Sequence, residues 1–246
     1  MALHETAAIV LKVLDHGESD KIVTFFTQDF GRLTAIAKGA KRSKIRFVNK
    51  LELFSHLQIT FADNRFSSLK RVDAAELVNP FAPLRQNYQL FCCASLIAEI
   101  LLAWLKEQDP DQRIFSLLGW TLEQLCTTSQ PQTSLLIFHL HLLSLLGFHL
   151  QLDQCQSCAS KSGPFFFAPG ESAIICQRCR AKGQERTTPL SAGTLKILNR
   201  ARELPQEKWP RLSFTSQAAS EAAAMFAAHT NFHLQRDIHS WQAINL

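Results

Sequence analysis

The stretch from Thr6 to Lys38, TAAIVLKVLDHGESDKIVTFFTQDFGRLTAIAK, holds three β-prone runs separated by two turn-like breaks. Thr6 to Leu14 is dominated by aliphatic residues and ends at the polar segment Asp15 to Asp20. Lys21 to Thr27 has strand length, and Gln28-Asp29-Phe30-Gly31 reads as a tight turn into Arg32 to Lys38. Beyond a basic loop, Leu57, Ile59 and Phe61 alternate with Gln58 and Thr60, and Leu69 to Leu77 supplies a fifth run after the turn-like Asp63-Asn64-Arg65. Five short strands in about 75 residues, with helices only afterwards, predict a small barrel of the OB type.

Asn79-Pro80 and Pro83 mark the end of that barrel, because proline biases the preceding residue away from helix and the apolar spacing lengthens beyond it. Leu90, Ala94, Ile97, Leu101 and Trp104 share one helical face, and Ile114, Leu117, Leu118, Thr121, Leu122 and Leu125 share another. Thr133 to Leu150 is apolar nearly all round and predicts a third helix, buried in a bundle. His139, His141, Ser144, Gly147 and His149 interrupt it and argue against a membrane span. After Pro189, Ser191 and Ser216 are the predicted caps of two more helices, the second containing Ala218 to Ala228. The chain is expected to be α+β: an OB-fold barrel over residues 1–79, then an all-helical domain over 80–150 and 186–246, with a cysteine-rich insertion over 151–185.

That insertion carries the sharpest chemical signal. Cys155/Cys158 and Cys176/Cys179 form two C-x-x-C pairs separated by seventeen residues. The spacing suits one tetrahedral Zn2+ with sulfurs at about 2.3 Å, and four protein ligands leave no position for an activated water, so the ion is expected to be structural. Two disulfides or four unrelated cysteines are the alternatives. An odd total of seven cysteines and a first decapeptide, MALHETAAIV, without a basic leader weigh against disulfides in a secreted chain. Phe165-Phe166-Phe167 and Ala173-Ile174-Ile175 look like two strands of a hairpin between the pairs, while Cys92, Cys93 and Cys126 lie in apolar helical stretches as ordinary core residues.

The net charge is +5, and the surplus sits at the two ends: residues 1–80 hold 12 Lys/Arg against 9 Asp/Glu, residues 81–150 hold 3 against 5, and residues 151–246 hold 11 against 7. Arg32, Lys38, Lys41, Arg42, Lys44, Arg46 and Lys50 fall within nineteen residues that contain no acid. Such a run is commonly a solvated loop. On an OB barrel, with Phe47 beside it as a candidate base-stacking ring, it points to single-stranded nucleic acid. Phe25 or Phe26 is a further stacking candidate, and Arg178, Arg180 and Lys182 are a second basic group. No P-loop is present. His229 and His233 lack the glutamate of an H-E-x-x-H metalloprotease, and the cysteines lack the H-x-E partner of a nucleotide deaminase. With no catalytic constellation, the chain is not expected to be an enzyme.

Ala8-Ile9-Val10-Leu11, Gly17-Glu18-Ser19-Asp20-Lys21, Thr27-Gln28-Asp29-Phe30-Gly31-Arg32-Leu33 and Ala37-Lys38-Gly39-Ala40-Lys41-Arg42 resemble the RecO family of bacterial DNA repair proteins. Leu146-Gly147-Phe148 followed by the two cysteine pairs resembles that family's zinc-finger insertion. One departure is Glu171-Ser172-Ala173, where the resemblance implies a glycine pair after the hairpin turn. The resemblance implies a cytoplasmic, nucleoid-associated recombination mediator, expected to be monomeric. It would bind single- and double-stranded DNA, anneal complementary strands and, with RecR, load RecA onto DNA coated by single-strand-binding protein, whose C-terminal tail is a further partner. The competing class is a zinc-stabilised adaptor whose basic loop meets an acidic protein.

Overall fold

The computed structural model describes residues 2–63, 69–180 and 186–244. The chain divides into two compact units, Met1–Cys126 and Thr127–Leu246.

In the first unit, β1 (Leu3–His16), β2 (Asp20–Thr27), β3 (Gly31–Ala37), β4 (His56–Ala62) and β5 (Lys70–Asn79) close into a barrel in the order β1-β2-β3-β5-β4. The long β1 closes the ring, pairing antiparallel with β4 from Leu3 to Ile9 and with β2 from Ala8 onward, while β3 and β5 are parallel. Alternation sends Ala8, Val10, Val23, Phe25, Leu33, Ala35, Leu57, Ile59 and Phe61 to the interior. These are the strands and the OB-type barrel that the alternating runs predict. Of the predicted turn before β5, Asn64 and Arg65 lie outside the described residues.

Glycine is required at the turn between β2 and β3. Gly31 has φ +67, and a Cβ there would lie 2.5 Å from the Asp109 backbone. Asp109 belongs to the connection between the last two of three helices that follow, α1 (Pro83–Gln86), α2 (Tyr88–Trp104) and α3 (Gln112–Thr127). The Gln108 amide donates to Arg32 O, and Arg85 Nη1 donates to Leu53 O. Phe26, on the outer face of β2, meets Phe115 at 6.0 Å, and Phe54 meets Phe91 at 5.7 Å. These outward rings need cover, and the helices supply it. The barrel itself ends at Asn79, and the compact unit that contains it runs on through these helices to Cys126.

The second unit contains α4 (Pro131–Leu145), a sheet of β6 (Phe165–Ala168), β7 (Ala173–Cys176) and β8 (Thr188–Leu190) in the order β7-β6-β8, and helices α5 (Ala192–Glu203) and α6 (Ser216–Leu234). Helix α4 is buried on nearly every side, which accounts for its unbroken apolar character. It stops at Leu145, short of the predicted Leu150. Gly147 takes φ +89, its amide donates to Ser144 O and the Phe148 amide to Leu143 O, the paired bonds of a glycine-terminated helix. Ser191 caps α5 as predicted, accepting from the Thr194 amide. The cap of α6 is Thr215, one residue before the predicted Ser216. Strand β8 is new, and its edge position tolerates the missing N–H of Pro189. Among the described residues no helix is long and apolar enough to cross a membrane.

Candidate metal centre and nucleic-acid interface

Each C-x-x-C pair folds as a tight turn on its first cysteine. The Ala159 amide donates to Cys155 O, and the Cys179 and Arg180 amides donate to Cys176 O. Strand β7 delivers Cys176 beside the first pair, where its amide donates to Cys155 Sγ at 3.3 Å. All four sulfurs then lie within 4.8 Å of one another. Cys158 Sγ and Cys176 Sγ are 3.7 Å apart, far beyond a disulfide bond of about 2.05 Å. Sulfurs set about 2.3 Å from one tetrahedral ion would be about 3.8 Å apart, so the donor set fits a metal ion.

The thiols titrate unequally. Burial opposes ionisation of Cys155, but N–H donors from Cys176, Cys158 and Ser157 bring it down to about 6. Hydrogen bonding with Cys158 and Cys176 pushes Cys179 up to about 12. Four thiolates confined to this volume repel one another, and a bound dication is what allows all four to ionise. Elsewhere, burial pushes Cys93 up to about 12, as expected of a core thiol.

The two histidines of α6 support the hairpin. His229 Nε2 lies 3.0 Å from Ser172 Oγ, and His233 Nε2 donates to Pro169 O at 3.2 Å. Ser172 holds the left-handed conformation at φ +50, the conformation glycine adopts most readily. The hydroxyl bond to His229 secures a serine where the resemblance implies glycine. These rings pack and anchor, as their spacing without a glutamate suggests.

The basic segment lies between β3 and β4, where Ala40–Arg42 form a short 3-10 turn. Phe47 is 3% exposed and belongs to the barrel core, so it is not available to stack on a base. Phe25 and Phe26 are fully buried as well, the first inside the barrel and the second against Phe115. Arg46 lies with its guanidinium carbon 4.5 Å from the Phe47 ring centroid and donates to Lys38 O. Arg32 turns away to donate to Leu102 O at 2.8 Å.

The run without acids meets acids in space. Lys41 Nζ lies 3.2 Å from Asp15, at the end of β1, and donates to Gly17 O, and Arg42 lies 3.2 Å from Glu18, both in the turn that follows. Asp20 accepts from the Gly39 amide at 2.8 Å, a bond that holds its carboxyl below the usual range. Lys44 and Lys50 have no ion pair among the described residues. Lys38, Lys41, Arg42, Lys44 and Arg46 are exposed, the Lys41 side chain only 24% because Asp15 and Gly17 hold its ammonium, and Lys50 is half-buried. Of the second basic group, Arg180 lies over the Phe166 ring at 4.4 Å, and Lys182 is outside the described residues.

Two family descriptions match this chain: Recombination protein O N terminal over residues 1–81 and Recombination protein O C terminal over residues 85–242. The chain belongs to the RecO family. It is 30% identical to the DNA repair protein RecO of Syntrophus aciditrophicus (strain SB) over 248 residues, covering 99% of this chain and 96% of that one. It is 33% identical to the DNA repair protein RecO of Anaeromyxobacter dehalogenans (strain 2CP-C) over 230 residues, covering 93% and 90%. RecO membership places the chain among DNA repair proteins, as its motifs imply. The two RecO matches divide between residues 81 and 85, where Pro80 and Pro83 close the barrel.

Sequence reasoning missed the exposed apolar residues of the RecO loop. Ile45 is 84% exposed and Val48 44%. Their alternation with the charged residues carried no signal, because a loop has no period that separates inside from outside. The acids of the β1–β2 hairpin were legible only through the barrel's closure, which sets that hairpin beside the loop.

Proposed function

We propose that this RecO-family chain is a DNA-binding recombination mediator and not an enzyme. It binds single- and double-stranded DNA, anneals complementary strands and, with RecR, helps load RecA onto DNA coated with single-strand-binding protein. The observation that carries this reading is a set of exposed cations, Lys38, Arg42, Lys44 and Arg46, on one connection of a closed OB-type barrel. Each cation that meets a backbone phosphate releases counterions, and two strands held this way approach with less mutual repulsion. The pair between Arg42 and Glu18 is solvent-exposed and weak, so a phosphate replaces Glu18 at small cost. With Lys50 included, five phosphate contacts at this loop contribute about −3.5 to the log-log salt slope on single strands.

The four cysteines are assigned one Zn2+, which would fold the β6–β7 module and take part in no reaction step. Elemental analysis of protein purified without chelator is expected to show one zinc per chain. Absence of any metal would overturn the assignment.

A second reading, an adaptor for an acidic protein, draws on exposed Ile45 and Val48 beside the cations. Binding to bare oligonucleotides separates the two. Salt-sensitive binding of a single strand supports the mediator, and indifference to oligonucleotides even in dilute buffer supports the adaptor.

A further inference from the structure

The second unit contains a cavity of about 720 Å3 at the C-terminal end of α6, bounded by the hairpin turn at Pro169 and by the approach to β8. Phe232 is 50% exposed there. Its ring meets His233 edge-on at 5.2 Å and extends over Gly170, where a Cβ would come within 2.9 Å of Phe232 Cζ. Gly170 has no left-handed φ to explain it, so what its missing side chain provides is room for this ring. The ring is thus both held and open to solvent. Arg186 and Arg236 line the same cavity, and neither pairs with a carboxylate among the described residues. Asn231 Nδ2 donates to Asp237 at 3.0 Å, which fixes the amide's orientation and leaves a buried Oδ1 without a donor among the described residues.

We infer that this cavity is a second nucleic-acid site, which takes one unstacked base of a single strand on Phe232 and its flanking phosphates on Arg186 and Arg236. A nucleotide presents the three features that match: a planar face for the ring, a negative charge for the two free guanidinium groups, and base N–H groups for Asn231 Oδ1. An acidic peptide would also meet the cations, but a planar ligand uses the whole open face of a ring that a glycine accommodates. The cavity volume falls in the range usual for a small-ligand site. The inference rests on the DNA-binding reading above but concerns residues remote in sequence from the β3–β4 loop.

The test uses the full chain and two labelled strands of equal length, one of thymidines and one of abasic sugars, so that phosphate number is constant. The wild-type protein is expected to prefer the strand with bases by about tenfold. Phe232→Ala should abolish that preference with zinc content and melting unchanged, and Phe232→Trp should keep it and show emission quenched by the thymidine strand. Gly170→Ala, which displaces the ring, should weaken it. Arg236→Gln should lower the salt slope by about 0.7. Retention of the full preference in Phe232→Ala, or an unquenched Phe232→Trp, overturns this inference alone. So does binding of a phenylalanine-containing acidic peptide in the cavity that leaves strand binding untouched. Failure of the wild-type protein to bind either strand overturns the DNA reading as well.

Discussion

The β3–β4 loop of the first unit and the cysteine module of the second are both marked by crowded residues of one type, yet they relate differently to their surroundings. Cys155, Cys158, Cys176 and Cys179 converge as their spacing demands, each pair through a local turn and the two pairs through one hairpin. The basic run spans nineteen residues without an acid, yet in space it meets Asp15, Glu18 and Asp20. Ligand geometry is a short-range property that spacing encodes. Net charge is a property of a surface, and the chain folds distant residues onto it.

The largest effect that tests this contrast is loss of the metal. Structural zinc binding is worth about 10–16 kcal/mol, comparable to the stability of a whole domain. Chelation or Cys176→Ser should collapse hydrogen-exchange protection in β6 and β7 while the barrel strands stay protected. Uniform loss across both units would show that the metal supports more than its own module.

Phe47 sharpens the other side. Because its ring is barrel core, Phe47→Ala should cost about 3–5 kcal/mol in chemical unfolding. Phe47→Leu should cost much less and leave DNA affinity unchanged. A large affinity loss in a stable Phe47→Leu protein would restore the stacking role that the sequence suggested.

Acid also divides the units. Burial lowers His139 to about 3, with the charge of His229 adding to it, and lowers His141 and His229 to about 4. Unfolded, each would take up a proton near pH 6.5, so the folded state binds fewer protons below that pH. Stability is therefore full above pH 6.5 and falls toward pH 4, by up to about 1.4 kcal/mol per pH unit for each imidazole. All three lie in the second unit, while the first holds His56, lowered by burial. Limited proteolysis at pH 7 and pH 5 should show selective opening after residue 127. Replacing His139, stacked at 4.7 Å on Phe226, with phenylalanine should flatten the dependence.

The smallest expected effect is at Glu18. Glu18→Gln frees Arg42 and should tighten single-strand binding by a few fold, with stability within about 0.5 kcal/mol of wild type. Weaker binding would mean that Glu18 positions Arg42 and does not compete with phosphate for it.

The barrel strands, the hairpin and the convergence of the four cysteines were legible because period and spacing are local. Alternation at Leu57, Ile59 and Phe61 has one structural meaning. Other features depended on tertiary partners. Phe47 reads as a loop aromatic until the barrel closes over it, and one of Phe25 and Phe26 reads as a stacking candidate until the barrel interior and Phe115 bury both. Arg32 reads as part of a charge cluster until it donates a hydrogen bond to Leu102 O. Gly147 could have ended α4 earlier, since glycine commonly follows a helix C-terminus, but the apolar residues beyond it masked the signal.

The account stands most directly on a salt titration of single-strand binding by the wild-type chain and by the Lys38→Ala, Arg42→Ala, Lys44→Ala triple variant. The loop is expected to contribute about −3.5 to the wild-type log-log slope, whose magnitude should fall by about two in the variant. Equal slopes for the two proteins would contradict it and place the phosphates elsewhere.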